Sequence, residues 1–346
     1  MQRTSRRKII VRTILLLLSA GIIVLVVGYL TIFGGNTPSF AGERSVYIGR
    51  NATLSAVTDS LVAAGVLDQR QSFEAVARAT GWGSQVKAGH YTFAEGTSTY
   101  DILQTLRRGL QAPVSVVIPP GSRPDVVAAV VARGMEFEPQ DFLDALADDS
   151  LAAALGTDTT HLFGYMLPET YNFYWLNDAE TVVRRVKEYA DELIAASTKS
   201  GGNGLGLSAD EVVTVASIVE WESDLVDERP VIAGVYLNRL RDGWRLQADP
   251  TVQYAVIRLE GQKRRLYFKD YQVRHPYNTY QLDGLPPGPV TNPSPTSISA
   301  VLNPEAHKYY YFVARGDGGH IFSRTLAEHN RAAADYRRML RDIGTD

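Results

Sequence analysis

The sequence predicts an α+β protein held by a single N-terminal transmembrane helix, with a small α+β module followed by a larger mixed α+β domain. Three observations carry this prediction. An uncharged run of 21 residues, Thr13 to Phe33, follows a basic N-terminus. A strand, turn, amphipathic helix and glycine then recur three times before residue 135. After Asp178, long apolar helical stretches alternate with loops dense in proline, glycine and aromatic residues.

The apolar run is long enough to span a bilayer, since about 20 helical residues cover about 30 Å of hydrocarbon. A cleaved signal peptide has a shorter apolar region, about 7 to 15 residues, so an uncleaved anchor is expected. Arg3, Arg6, Arg7, Lys8 and Arg12 precede the run and place residues 1–12 in the cytoplasm as a short tail. The span is then 13–33, with a linker over 34–44 and everything beyond it outside the cytoplasmic membrane. A formal net charge of -3 without clustered Lys and Arg elsewhere excludes a nucleic-acid binder. With no cysteine in the chain there is no disulfide, thiolate metal site or lipidated thiol. The six histidines fall into no metal-binding spacing, so neither metal nor cofactor is expected.

The repeated units begin at Val46, His90 and Val116. Their strands end at Ile48, Phe93 and Ile118, and Gly65, Gly109 and Gly134 stop their helices. Ser and Thr residues ahead of the helices are candidate N-caps. Each unit has one apolar face and must pack on a neighbour, which predicts a compact module over 45–112 with the third unit leading into the next domain. Such a module could bind a ligand or act as a spacer.

A helix follows over 178–200, and the glycine-rich stretch Gly201 to Ser208 reads as a linker. It lacks the preceding strand and the terminal lysine of a phosphate loop. Ser208 and Glu211 form a capping box for the next helix, "ADEVVTVASIVEWE" over 209–222. Its apolar residues lie on all sides, so the helix is buried. Glu220 ends that run and is expected to be more enclosed than Glu222. A buried carboxyl held protonated serves as a general acid, but it could equally bond an arginine such as Arg239 or a backbone amide.

The remaining sequence is rich in aromatic, amide and short polar residues set in proline turns, a lining suited to sugar rings and hydroxyls. At this point the chain resembles the endolytic murein transglycosylases, the MltG or YceG-like proteins, over nearly its whole length. The carrying motifs are Ala216-Ser-Ile-Val-Glu220-x-Glu222, Asn238-Arg239-Leu240, Leu246 to Val252, Pro276 to Tyr280, Gly284 to Gly288, Tyr311-Phe-Val, and Gly318-Gly-His-x-Phe322 with His329-Asn330. Trp221 stands where a lysine is common in the family, and Gly164 to Tyr171 departs from the usual segment at three positions.

The resemblance implies a LysM-like module over 45–112 and a YceG-like catalytic domain over 113–346. It implies peptidoglycan strands as substrate, cut within the chain, with a 1,6-anhydro end as product and Glu220 as catalytic acid. Substrate contacts or site scaffolding are expected from Glu222, Gln247, Asp249, Asn278, Thr279, Tyr280 and His320. The cytoplasmic membrane and peptidoglycan polymerases are the implied partners. A hydrolytic muramidase using Glu220 and Asp249, and a non-catalytic peptidoglycan-binding scaffold, are the competing readings.

Overall fold

The computed structural model describes residues 2–342. The chain forms two compact units, one from the N-terminus to Val114 with Asn172–Leu176, the other comprising Ser115–Tyr171 and the chain from Asn177 onward. Mixed α+β architecture with an N-terminal apolar helix agrees with the sequence prediction.

In the first unit, helix α1 (Gln2–Phe33) precedes strand β1 (Glu43–Ile48), helices α2 (Leu54–Ala63) and α3 (Arg70–Thr80), strand β2 (Gly89–Ala94) and helix α4 (Thr99–Arg108). Within α1, Ile10–Phe33 has a mean hydropathy of 2.7 and its most apolar stretch is not buried in protein, so by length and composition it suits a membrane crossing. Strands β1 and β2 pair antiparallel from Glu43↔Ala94 to Ile48↔Gly89. Their alternation sends Val46, Ile48, Tyr91 and Phe93 inward, against Val57, Leu61, Phe73, Ile102 and Leu106 of the three short helices. Thr53 and Ser98 cap α2 and α4 by accepting from Ala56 and Asp101 N–H, and Gly109 closes α4 in the left-handed region.

The segment expected as a linker is tied down at its start. Asn36 is buried and donates its backbone N–H to Thr97 O at 2.9 Å, while its side chain accepts from Gln69 N–H and donates to Thr99 Oγ1, each at 2.8 Å. Phe33, the last residue of α1, packs its ring on Tyr100 at 5.3 Å. The helix therefore runs into the first unit without a flexible joint.

The second unit is mainly helical. Strands β3 (Val114–Val117) and β4 (Thr170–Phe173) stand where the chain passes from one unit to the other; between them lie α5 (Pro124–Ala132), α6 (Pro139–Leu146) and α7 (Asp149–Ala154). There follow α8 (Ala179–Lys199), α9 (Ala209–Glu222), α10 (Arg229–Arg241), α11 (Asp249–Glu260) and α12 (Pro295–Leu302). Strands β5 (Tyr311–Ala314) and β6 (His320–Ser323) make an antiparallel hairpin, and α13 (Leu326–Asp342) packs on it. The glycine pair Gly318-Gly319 thus belongs to a hairpin turn.

Helix α9 is the axis of this unit. Every residue from Val212 to Glu220 is buried, and α10, α11 and α12 surround it. The capping box of Ser208 and Glu211 starts it, with both reciprocal bonds made. Ser217, polar and fully buried, is satisfied by donating to Thr214 O at 2.7 Å and accepting from Val290 N–H at 2.9 Å. The second bond pins the proline-rich loop to the helix.

Packing against that loop leaves no room at Gly164, where a Cβ would lie 2.5 Å from both Pro289 Cγ and Val213 Cγ1. Gly164→Ala is expected to lower stability by about 1–3 kcal/mol through overpacking. Thermal or urea unfolding of the variant measures this directly.

Candidate active site

Two glutamates leave the end of α9 in different directions. Glu220 is 9% exposed. Its carboxylate receives a forked pair of bonds from Arg229, Nη1 to Oε2 at 3.0 Å and Nη2 to Oε1 at 3.1 Å. Oε2 also accepts from the N–H of Ser294 at 2.9 Å, from the Ser294 hydroxyl, and from the Ser297 hydroxyl at 2.8 Å. Ser294 is the N-cap of α12, so the carboxylate sits at that helix's N-terminus, where negative charge is favoured. Each hydrogen-bond partner of the Glu220 carboxylate among the described residues is a donor, and Glu220 lines neither of the two cavities described below. Glu220 thus ties the ends of three helices together. The sequence left open a bond from Arg239 to a buried glutamate; the partner is instead Arg229, nine residues on.

Glu222 faces a cavity of about 490 Å³ walled also by Arg239, Gln247, Asp249, Tyr280, Tyr311, His320 and His329. Its Oε1 accepts a short bond from the Tyr236 hydroxyl, and no partner among the described residues reaches Oε2. Protein atoms crowd its carboxyl although part of the side chain stays open to the cavity. That burial is the main cause of a pKa pushed up to about 8; nearby Asp249 raises it further, while the Tyr236 bond and Arg239 oppose the shift. A carboxyl so placed carries a proton at neutral pH and has one oxygen free to deliver it.

The other expected site residues divide into wall and support. Asp249, first residue of α11, is exposed and accepts from Tyr280 Oη at 2.7 Å and Tyr271 Oη at 3.2 Å. Gln247 is exposed on the cavity wall in a left-handed backbone conformation, φ 48°. Asn278 and Thr279, by contrast, are fully buried and do not line the cavity. Asn278 donates to Tyr271 O and Val273 O, and Thr279 Oγ1 accepts from Ala248 N–H at 2.9 Å. These two hold the loops that present Tyr280 and Gln247. His320 is on the wall, with its Nδ1 bonded to Glu228 at 2.7 Å.

Arg229, Tyr236 and the serines of α12 were not singled out from the sequence. Arg229 had a visible signal, an arginine opening an otherwise apolar helix close behind a buried glutamate. Arg239 donates to Tyr310 O at 2.7 Å and to Leu246 O, holding the hairpin and the Gln247 loop to α10. A further cluster, Asp158, His161 and Asp210, is close enough to share an ion. Its atoms are already engaged, Asp210 by Thr157 and Tyr165 and Asp158 by His161, and it lies apart from Glu222 in the cavity linings.

An apolar helix leading into a small α+β unit, and a larger unit in which a carboxyl of raised pKa faces a polar, aromatic-walled cavity, describe an enzyme-like class of protein. The sequence pattern described as the YceG-like family matches residues 46–335, and the chain belongs to that family. The chain is similar to the endolytic murein transglycosylase of Bacillus subtilis, with 29% identity over 84% of each chain. It is 28% identical to the endolytic murein transglycosylase of Streptococcus pneumoniae over 89% of its own length and 62% of that longer protein. The crystal structure of a YceG-like protein from Listeria monocytogenes aligns with a TM-score of 0.55 at 30% identity, covering 84% of this chain and 99% of that one.

Removing the guanidinium should leave Glu220 as a buried, unpaired charge. Arg229→Ala is expected to cost about 3–5 kcal/mol in urea unfolding. The raised pKa of Glu222 has its own signature. The folded state binds this proton more tightly than the unfolded chain, so its stabilising effect is complete below the ordinary carboxyl value of 4.5 and is lost as pH rises through about 8. A Glu222→Gln variant should show a flatter stability profile across that window, read by unfolding at a series of pH values.

Proposed function

We propose that the protein is a membrane-anchored endolytic transglycosylase that cuts murein glycan strands, with Glu222 as its general acid and base. The observation that carries this is the Glu222 carboxyl, its pKa raised by burial, in a polar, aromatic-walled cavity, held by Tyr236 on one oxygen and open on the other. The names of the relatives support the substrate and the reaction class.

Glu222 gives its proton to the glycosidic oxygen between N-acetylmuramic acid and N-acetylglucosamine, and the C1–O bond breaks. The ring carbon develops oxocarbenium character, which the nearby Asp249 carboxylate offsets electrostatically. The C6 hydroxyl of the same sugar attacks C1 and returns its proton to Glu222, leaving a 1,6-anhydro end. Its tethering favours it over water, because well-oriented intramolecular groups reach effective molarities of about 10⁵ M or more. Glu220 positions Glu222 by fixing the end of α9. Helix α1 is proposed as the single-pass anchor with the N-terminus in the cytoplasm, residues 45–112 as a LysM-like module, and 113–346 as the catalytic domain. On nascent strands such an enzyme ends elongation and shares its substrate with the polymerases. A muramidase remains the nearest rival, since Asp249 stands in the same cavity and could serve as the base for water.

Glu222→Gln is expected to keep the fold and lose about 10²-fold or more of cleavage, the usual contribution of a positioned acid. Glu220→Gln should chiefly lower the melting temperature. The full chain in detergent, given uncross-linked glycan, should release fragments with 1,6-anhydro ends, lighter by one water than hydrolysed ends by mass spectrometry. Hydrolysed ends would mean a muramidase, intact glycan with measurable binding a scaffold, and an active Glu222→Gln would remove Glu222 from the mechanism.

A further inference from the structure

The cavity that holds Glu222 is the smaller of two that meet the end of α9. Successive helical residues point about 100° apart, so the side chain before Glu222 leaves by a different face. That side chain is Trp221, and it lines a second cavity of about 750 Å³ within the same unit. Tyr254, Tyr277, Phe163, His275 and Arg258 share the lining. The Tyr254 and Tyr277 rings pack at 4.3 Å, and the Trp221 indole is fixed by donating to Gly121 O at 3.1 Å. These are rigid apolar surfaces rather than free side chains.

Charge at this cavity is one-sided. Arg123 is neutralised by Asp125 at 2.5 Å, but Arg258 has no partner among the described residues. Lys263 adds a second positive group 5.3 Å from the Trp221 ring centre. His275 Nδ1 accepts from Tyr277 N–H at 3.2 Å. Burial, and then Arg258, push its pKa below the usual imidazole value. A neutral His275 in that tautomer keeps Nε2–H as a donor. A guanidinium unpaired among the described residues, in a cavity that aromatic rings also line, suits a carboxylate on a partly apolar carrier.

We propose that this cavity is a second subsite that receives the acidic peptide borne on a murein sugar, with Arg258 as its carboxylate-binding group and Trp221, Tyr254 and Tyr277 as its walls. The inference rests on the proposed function and deepens it. Murein sugars carry no free charge once the lactyl group is amide-linked, so the strand's carboxylates belong to its peptides. A sugar cut at Glu222 would carry its peptide past the end of α9, and the adjoining cavity at Trp221 is built to take it. Cleavage would then depend on the peptide as well as the glycan.

The test compares uncross-linked strands that bear peptides with the same strands stripped of them, using the full chain in detergent. Wild type should favour the peptide-bearing strands by about tenfold or more, chiefly through KM, as a lost charged contact predicts. Arg258→Ala should lose most of that preference and Arg258→Lys should recover part. Equal use of the two strands by wild type, or an Arg258→Ala variant impaired alike on both, overturns the proposal. The released peptide, titrated into Glu222→Gln protein by calorimetry, reads the subsite without turnover. Saturable binding that weakens in Glu222→Gln/Arg258→Ala supports it, and no binding overturns it. If wild type cuts neither strand the transglycosylase reading fails, and the titration alone decides the subsite.

Discussion

The second unit depends on one buried ion pair. Glu220 lies in the last turn of the central helix, Arg229 opens the next, and Ser294 caps α12 with Ser297 in its first turn. Three helix ends are thus fixed by one carboxylate, whose desolvation is offset by a forked guanidinium, an amide and two hydroxyls. Such a knot specifies geometry more than it adds stability, because a breakable charge pair tolerates no alternative arrangement of those ends. What it specifies is the heading of the last two residues of α9. One points to each cavity.

Much of this was legible beforehand. The capping box, the all-round apolar run and the glycine stops identified α9 and the first unit, since local chemistry decides them. The YceG-like resemblance was likewise carried by ordered motifs and is borne out by the family match. The surroundings of the two glutamates were not legible. Burial inferred from an apolar run ranks Glu220 as the enclosed residue, which it is, but enclosure acts on a carboxyl only through what surrounds it. Donors from Arg229, 9 residues on, and from Ser294, 74 residues on, engage the Glu220 carboxylate. Glu222 is less covered by area yet meets one hydroxyl and a neighbouring carboxylate, so burial governs its proton.

The same limit explains Asn278 and Thr279. A stretch of amide and hydroxyl residues in a turn reads as a sugar-binding surface, but the turn itself consumes those groups. Asn278 satisfies two carbonyls and Thr279 a backbone N–H, and only Tyr280, next along, is left to face the cavity. Polar composition told where the loops gather. It did not tell which atoms remained for a ligand.

The clamp at Asn36 has a consequence for where the first unit can sit. A membrane helix joined to a folded unit by a slack tether sweeps a hemisphere whose radius grows with the tether. Here the helix end is fastened within three residues, by Asn36 to Thr97, Thr99 and Gln69 and by Phe33 to Tyr100. If α1 crosses the bilayer, the small unit rides on the lipid surface like a float on a short stem, diffusing in two dimensions with its altitude fixed.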